Sequence, residues 1–153
     1  MSKREEFTTA LKEAMQNKDQ VSISTIRLIM AAMKDRDIAA RSNDNAEGIT
    51  DAEILSMMQS MIKQRQESST TYAEAGRDDL AERELDEIAV LQKFLPAQMG
   101  DDEVSATIDK IISDTGASSI KDMGKVMGVL KSDYAGQIDM AKAGGLVKSK
   151  LAA

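Results

Sequence analysis

Apolar positions recur with a helical period along most of the chain. Phe7, Leu11 and Met15 repeat every four residues behind Ser2 and Glu5, an S-x-x-E pair that predicts a helix start. After a short polar break at Asn17 to Asp19, a second helix is predicted to about Arg41. Its buried stripe is Ile26, Ile29, Met30 and Met33, at i, i+3, i+4 and i+7. Ser42 to Gly48, SNDNAEG, reads as a loop. Thr50 with Glu53 repeats the capping pattern. Ile54, Met58, Met61, Ile62, Arg65 and Tyr72 then trace one face of a third helix, which Gly76 ends. Asp78 and Asp79 suit the start of a fourth, carried by Ala81, Leu85, Ile88, Leu91 and Leu95. Pro96 stops it, because the proline ring disfavours helical geometry at the residue before it.

Beyond Pro96 the elements shorten. Asp101 to Glu103 open a fifth helix with Val104, Ile108, Ile111 and Ile112 as its apolar face, and Gly116 suits a left-handed cap at its end. Ser119 stands three residues before Asp122 and predicts the start of a sixth, with Met123, Met127, Leu130 and Tyr134 along it. Gly136 breaks that helix. Asp139 caps the last, with Leu146, Val147 and Leu151 on its apolar side. The expectation is an all-α protein: an N-terminal domain of four longer helices over residues 1–96, then a C-terminal domain of three short helices over residues 97–153.

Composition narrows the chemistry. The chain has no cysteine and no histidine, which removes disulfides, zinc clusters, thiol nucleophiles and the commonest general base. Ser118 and Ser119 therefore have no imidazole to activate them. No G-x-x-x-x-G-K-[ST] loop is present. The acidic pairs at 78–79 and 101–103 fit the first turns of helices, and Arg77 is expected in an intramolecular salt bridge. No catalytic residue, metal or cofactor is expected, nor catalysis by the chain alone. The 11 methionines fall mostly on the apolar stripes and are expected in the core. With no apolar run near ~20 residues and no signal-peptide h-region at the N-terminus, the expectation is a soluble cytoplasmic protein with no membrane partner.

Charge adds a polarity that the net value of −6 conceals. Met1 to Ile120 carries 14 Lys and Arg against 23 Asp and Glu, a balance of −9. Lys121 to Ala153 carries six lysines against three aspartates, a balance of +3. Those lysines are Lys121, Lys125, Lys131, Lys142, Lys148 and Lys150, and an anionic partner should meet this basic tail. Within it, Gly124 and Gly128 lie four apart on one helix face, each costing roughly 1 kcal/mol relative to alanine in a helix interior. Two explanations are open: a tight helix–helix crossing, or a ligand backbone, such as nucleic acid, lying against that face.

Four stretches in order carry a resemblance. They are Arg77-Asp-Asp-Leu-Ala continuing to Glu84, Phe94-Leu-Pro-Ala-Gln98, Ser119-Ile-Lys-Asp-Met-Gly-Lys-Val-Met-Gly128, and Asp139-Met-Ala-Lys running to Leu151. Together they resemble the GatB/YqeY family, in particular its free-standing YqeY-like members. The resemblance implies an all-α fold similar to the tail region of the B subunit of glutamine-dependent aspartyl/glutamyl-tRNA amidotransferase, which helps to hold the tRNA. It also implies the family's label of carbon–nitrogen ligase activity with glutamine as amido-N-donor, although the catalytic cradle domain of that subunit is missing here. Gly144 and Gly145 stand where serine or alanine is expected, which should loosen the last helix. The favoured expectation is thus a tRNA-associated helical accessory module, with the six lysines on phosphates and Gly124 and Gly128 permitting close approach. The alternative is a module docking on an amidotransferase or another translation protein through methionine-lined faces, without direct RNA binding. An amide-transfer ligase is the third reading, and no DNA partner is expected.

Overall fold

The structure, a computed structural model, describes residues 1–152, and helix is the only regular secondary structure among them. In order these are α1 (Lys3–Gln16), α2 (Gln20–Arg41), α3 (Asp51–Glu74), α4 (Asp78–Gln92), α5 (Asp101–Thr115), a single 3-10 turn (Ile120–Asp122), α6 (Met123–Asp133) and α7 (Met140–Ala152). The all-α expectation holds. The chain divides into two compact units, Met1–Leu95 and Pro96–Ala153.

In the first unit, local side chains set where helices begin. Ser2 and Glu5 form a reciprocal capping box at α1, and Thr50 and Glu53 form another at α3. Asp19 accepts from the Ser22 N–H at 3.1 Å and from its hydroxyl at 2.6 Å, capping α2. Gly76, at φ +74°, turns the chain between α3 and α4, which run antiparallel. The Ser69 hydroxyl donates to the Ala81 carbonyl at 3.2 Å, and Arg65 Nε lies 2.9 Å from Glu87 Oε2 with both side chains mostly buried. The core gathers Phe7, Ile26, Ile29, Ile54, Met57, Met58 and Leu91, with Phe7 and Phe94 edge to face at 5.1 Å.

A polar clasp joins α1, the end of α2 and the entry to α3. Arg4 donates to both Asp37 oxygens at 2.7 and 2.8 Å and to the Ile49 carbonyl at 3.0 Å. The Ile49 N–H donates to Asp37 at 2.9 Å. The Arg4 hydrogen bonds hold the Asp37 carboxyl well below its usual 3.8, at about 2. Gly48, at φ +87°, is lodged against the carboxylate, so that a Cβ there would collide with Asp37 Oδ1 and come within 2.9 Å of its Cγ.

Two stripe positions depart from expectation. Met15 is 52% exposed and Leu85 54% exposed. The reason is geometric: a four-residue spacing drifts about 40° per turn, so Phe7, Leu11, Met15 walks off the buried face while Ala14, seven residues from Phe7, stays on it. Leu85 lies similarly about 90° round α4 from the strip centred on Ile88 and Leu91. The methionine expectation holds more widely, since Met33, Met57, Met58 and Met61 are buried and Met30 packs against them. These methionines are taken up by the core of the first unit.

The second unit packs α5, α6 and α7 around Ile108, Ile111, Val126, Leu130, Val147 and Leu151. Gly116, at φ +70°, ends α5 in a left-handed cap. Gln98 Nε2 donates to the Gly136 carbonyl at 2.6 Å, and the Met99 N–H to the Gln137 carbonyl at 3.0 Å, tying the segment that enters the unit to the α6–α7 turn. Asp139 accepts from the Ala141 and Lys142 N–H groups at 2.9 and 3.3 Å and starts α7. Ser119 does not open α6 directly: it precedes the 3-10 turn, and α6 begins at Met123. The two adjacent glycines leave α7 continuous, with Gly144 close to the Met123 and Met127 methyls, where an added Cβ would sit at 3.8 and 3.9 Å.

Candidate nucleic-acid interface

The outer face of α6 is built by what the core takes from the helix. Val126 and Leu130 are fully buried, and Met123 and Met127 turn partly inward. At about 100° per residue this leaves Gly124, Lys125, Gly128 and Lys131 pointing away from the core, and all four are exposed. Lys121, on the 3-10 turn, continues the row backwards. Gly124, Gly128 and Lys131 are spaced four and three, the repeat of a single helix face. A Cβ placed on Gly124 or Gly128 would meet nothing within 4 Å. No helix of the second unit crosses α6 at these glycines.

The six candidate lysines do not form one set. Lys125 and Lys131, six residues apart, lie about 120° apart on either side of the exposed Gly124 and Gly128, with Lys121 just before α6. On α7, Lys142 and Lys148 are exposed but lie about 120° apart around the helix. Lys150 is half-buried and paired with Asp109 of α5, Nζ to Oδ1 at 2.8 Å. Lys125 has a looser partner in Asp122, at 3.8 Å. The Ser118 N–H, followed by that of Ser119 and the Lys125 charge, holds the Asp122 carboxyl below its usual value, so it stays ionised beside the row. Lys121, Lys131, Lys142 and Lys148 have no ion pair among the described residues.

Ile120, 47% exposed immediately before Lys121, adds an apolar contact at one end of the row. It was missed in the sequence because it falls between the cap and the α6 stripe. The spacing of four and three that puts Lys131 on the face of the two glycines was legible there. Elsewhere, Arg77 does pair with Asp79, at 3.3 Å on the surface. Among the described residues no group of three or more acidic side chains is placed to hold a metal, and no helix is long and apolar enough to cross a membrane.

The chain is 29% identical over 106 residues to "Altered inheritance of mitochondria protein 41, mitochondrial" of Kluyveromyces lactis, covering 68% of this chain and 55% of that protein. The protein of the same name in Lachancea thermotolerans is 27% identical over 142 residues, 87% of this chain and 73% of the relative. That of Meyerozyma guilliermondii is 32% identical over 85 residues, 56% of this chain and 42% of the relative. The chain spans about half the length of most of these relatives. Their names are those of mitochondrial proteins, which overturns the cytoplasmic expectation: charge, helicity and the lack of an apolar span do not distinguish the two compartments. Residues 4–151 match the family model described as Yqey-like protein, and the chain belongs to that family.

Proposed function

We propose that the second unit is an RNA-holding module of the tRNA-associated kind, using the outer face of α6. The observation that carries this reading is the open glycine floor of Gly124 and Gly128 with Lys121, Lys125 and Lys131 around it. Lysines neutralise phosphates, and a floor without side chains lets a sugar–phosphate backbone approach the helix closely. From Lys121 to Lys131 the row runs about 15 Å at 1.5 Å per residue, long enough for two or three successive phosphates. Recognition is by backbone and shape, since the second unit offers only Tyr134 as an aromatic to stack on a base. In this reading the chain holds RNA and does not itself transfer an amide, whatever the family label.

The test is equilibrium binding of the purified chain to bulk tRNA across a salt series. Three lysine–phosphate contacts give a log–log slope of about −2 to −3. Lys121→Glu with Lys125→Glu and Lys131→Glu should abolish binding, and Lys142→Glu with Lys148→Glu should have the smaller effect. Gly128→Ala separates charge from approach. At an open mid-helix site it should stabilise the fold by up to about 1 kcal/mol while weakening tRNA binding. Absence of binding at low salt, or a triple variant that binds as the parent does, refutes the proposal.

A further inference from the structure

Three of the exposed large hydrophobics of this chain stand on one helix. Val21 is 42%, Leu28 46% and Ile38 52% exposed, all on α2. Singly, such residues need no explanation. Their register does. Val21, Ser24, Leu28, Ala31, Asp35 and Ile38 are spaced three, four, three, four and three, and every one is exposed. That is the a/d repeat of a coiled-coil seam, laid along about 26 Å of a helix whose opposite side is buried by Ile26, Ile29 and Met33. Ser24 and Ala31 are small enough for a second helix to settle between the knobs of Val21, Leu28 and Ile38.

Charge along the seam says what settles there. Arg27, Lys34 and Arg41 each precede an a position of the repeat, seven residues apart, so one cation per two turns lines a single edge. All three are exposed, and none is in an ion pair among the described residues. The other edge is neutral, with Ala32 and Ala39. A second copy of α2 fits poorly in either direction. Antiparallel pairing brings the two basic edges face to face, and parallel pairing sets Asp35 against Asp35 inside the seam.

We infer that α2 is a docking face for an amphipathic helix of another protein. That partner carries leucine-like residues along its seam, acidic residues on the edge meeting Arg27, Lys34 and Arg41, and a cationic or amide side chain opposite Asp35. This inference is independent of the RNA reading, which rests on α6.

The experiment uses the full chain and two labelled synthetic helical peptides of four heptads with the same leucine seam, each with an asparagine at the position opposite Asp35. One carries glutamate and the other lysine at the edge positions, and fluorescence anisotropy reads binding. The glutamate peptide should bind at least about tenfold more tightly than the lysine peptide, since three edge pairs change from attraction to repulsion. Arg27→Glu with Lys34→Glu should invert that preference, and Leu28→Glu should remove binding of both. All these positions are exposed, so circular dichroism should show the parent's helicity. Equal affinity for the two peptides, no binding of the glutamate peptide, or a preference that charge reversal does not invert overturns the inference. Self-association lost in Leu28→Glu would reassign the face to a second copy, and tRNA binding lost in Arg27→Glu with Lys34→Glu would reassign it to RNA; either result also overturns it.

Discussion

Replacing Asp37 with alanine tests whether the clasp between α1, α2 and the α3 entry holds the first unit together. The substitution removes both Arg4 hydrogen bonds and the acceptor for the Ile49 N–H. A carboxylate held at about 2 rather than 3.8 contributes on the order of 2 kcal/mol at neutral pH. The pair is partly solvated, with side-chain exposures of 35% for Arg4 and 18% for Asp37, and screening lowers this to about 1–2 kcal/mol. For a unit of this size that corresponds to a fall in Tm of very roughly 4–16 °C. Because the folded value lies below the unfolded one, the contribution is complete above about pH 5 and declines as pH falls towards 2. About half of it should be gone by pH 3. Urea unfolding of parent and Asp37→Ala, followed by circular dichroism from pH 7 to pH 3, should therefore show two curves that converge. Gly48→Ala provides the coupled measurement. In the parent it combines left-handed strain with a collision against Asp37, and in the Asp37→Ala background the strain remains with only a 3.1 Å approach to the flexible Arg4 Nη2. A difference between parent and Asp37→Ala that is independent of pH would refute the electrostatic account. Additive losses in the double variant would refute the contact with Gly48.

Two smaller outcomes follow from the same structure. The Thr25 hydroxyl is buried without a hydrogen-bond partner, so Thr25→Val, which keeps the branched shape, should be neutral or should raise stability by up to about 1 kcal/mol; a loss of that size in urea unfolding would mean the hydroxyl is satisfied. Met58→Ala, at a fully buried site, should cost about 2–5 kcal/mol, whereas Met15→Ala at 52% exposure should stay within about 0.5 kcal/mol, so equal losses would contradict the burial pattern.

The all-α class and most helix ends were determined by the sequence alone, because the interactions that start and stop helices are local. Ser2 with Glu5, Asp19, Thr50 with Glu53, and Asp139 act on N–H groups within three residues. Gly76 and Gly116 act through their own φ. Only the tertiary structure decided what lies across a helix face, since that depends on segments distant in the chain. The Arg4–Asp37 pair spans 33 residues and no spacing rule announces it. Met15, Leu85, and Val21, Leu28 and Ile38 of α2 are apolar, yet they are exposed because neighbouring helices cover other strips of α1, α4 and α2. Gly124 and Gly128 were legible as a paired absence of side chains. That the absence points away from the unit's own core, and seats none of its helices, follows from where Val126 and Leu130 point α6 into that core.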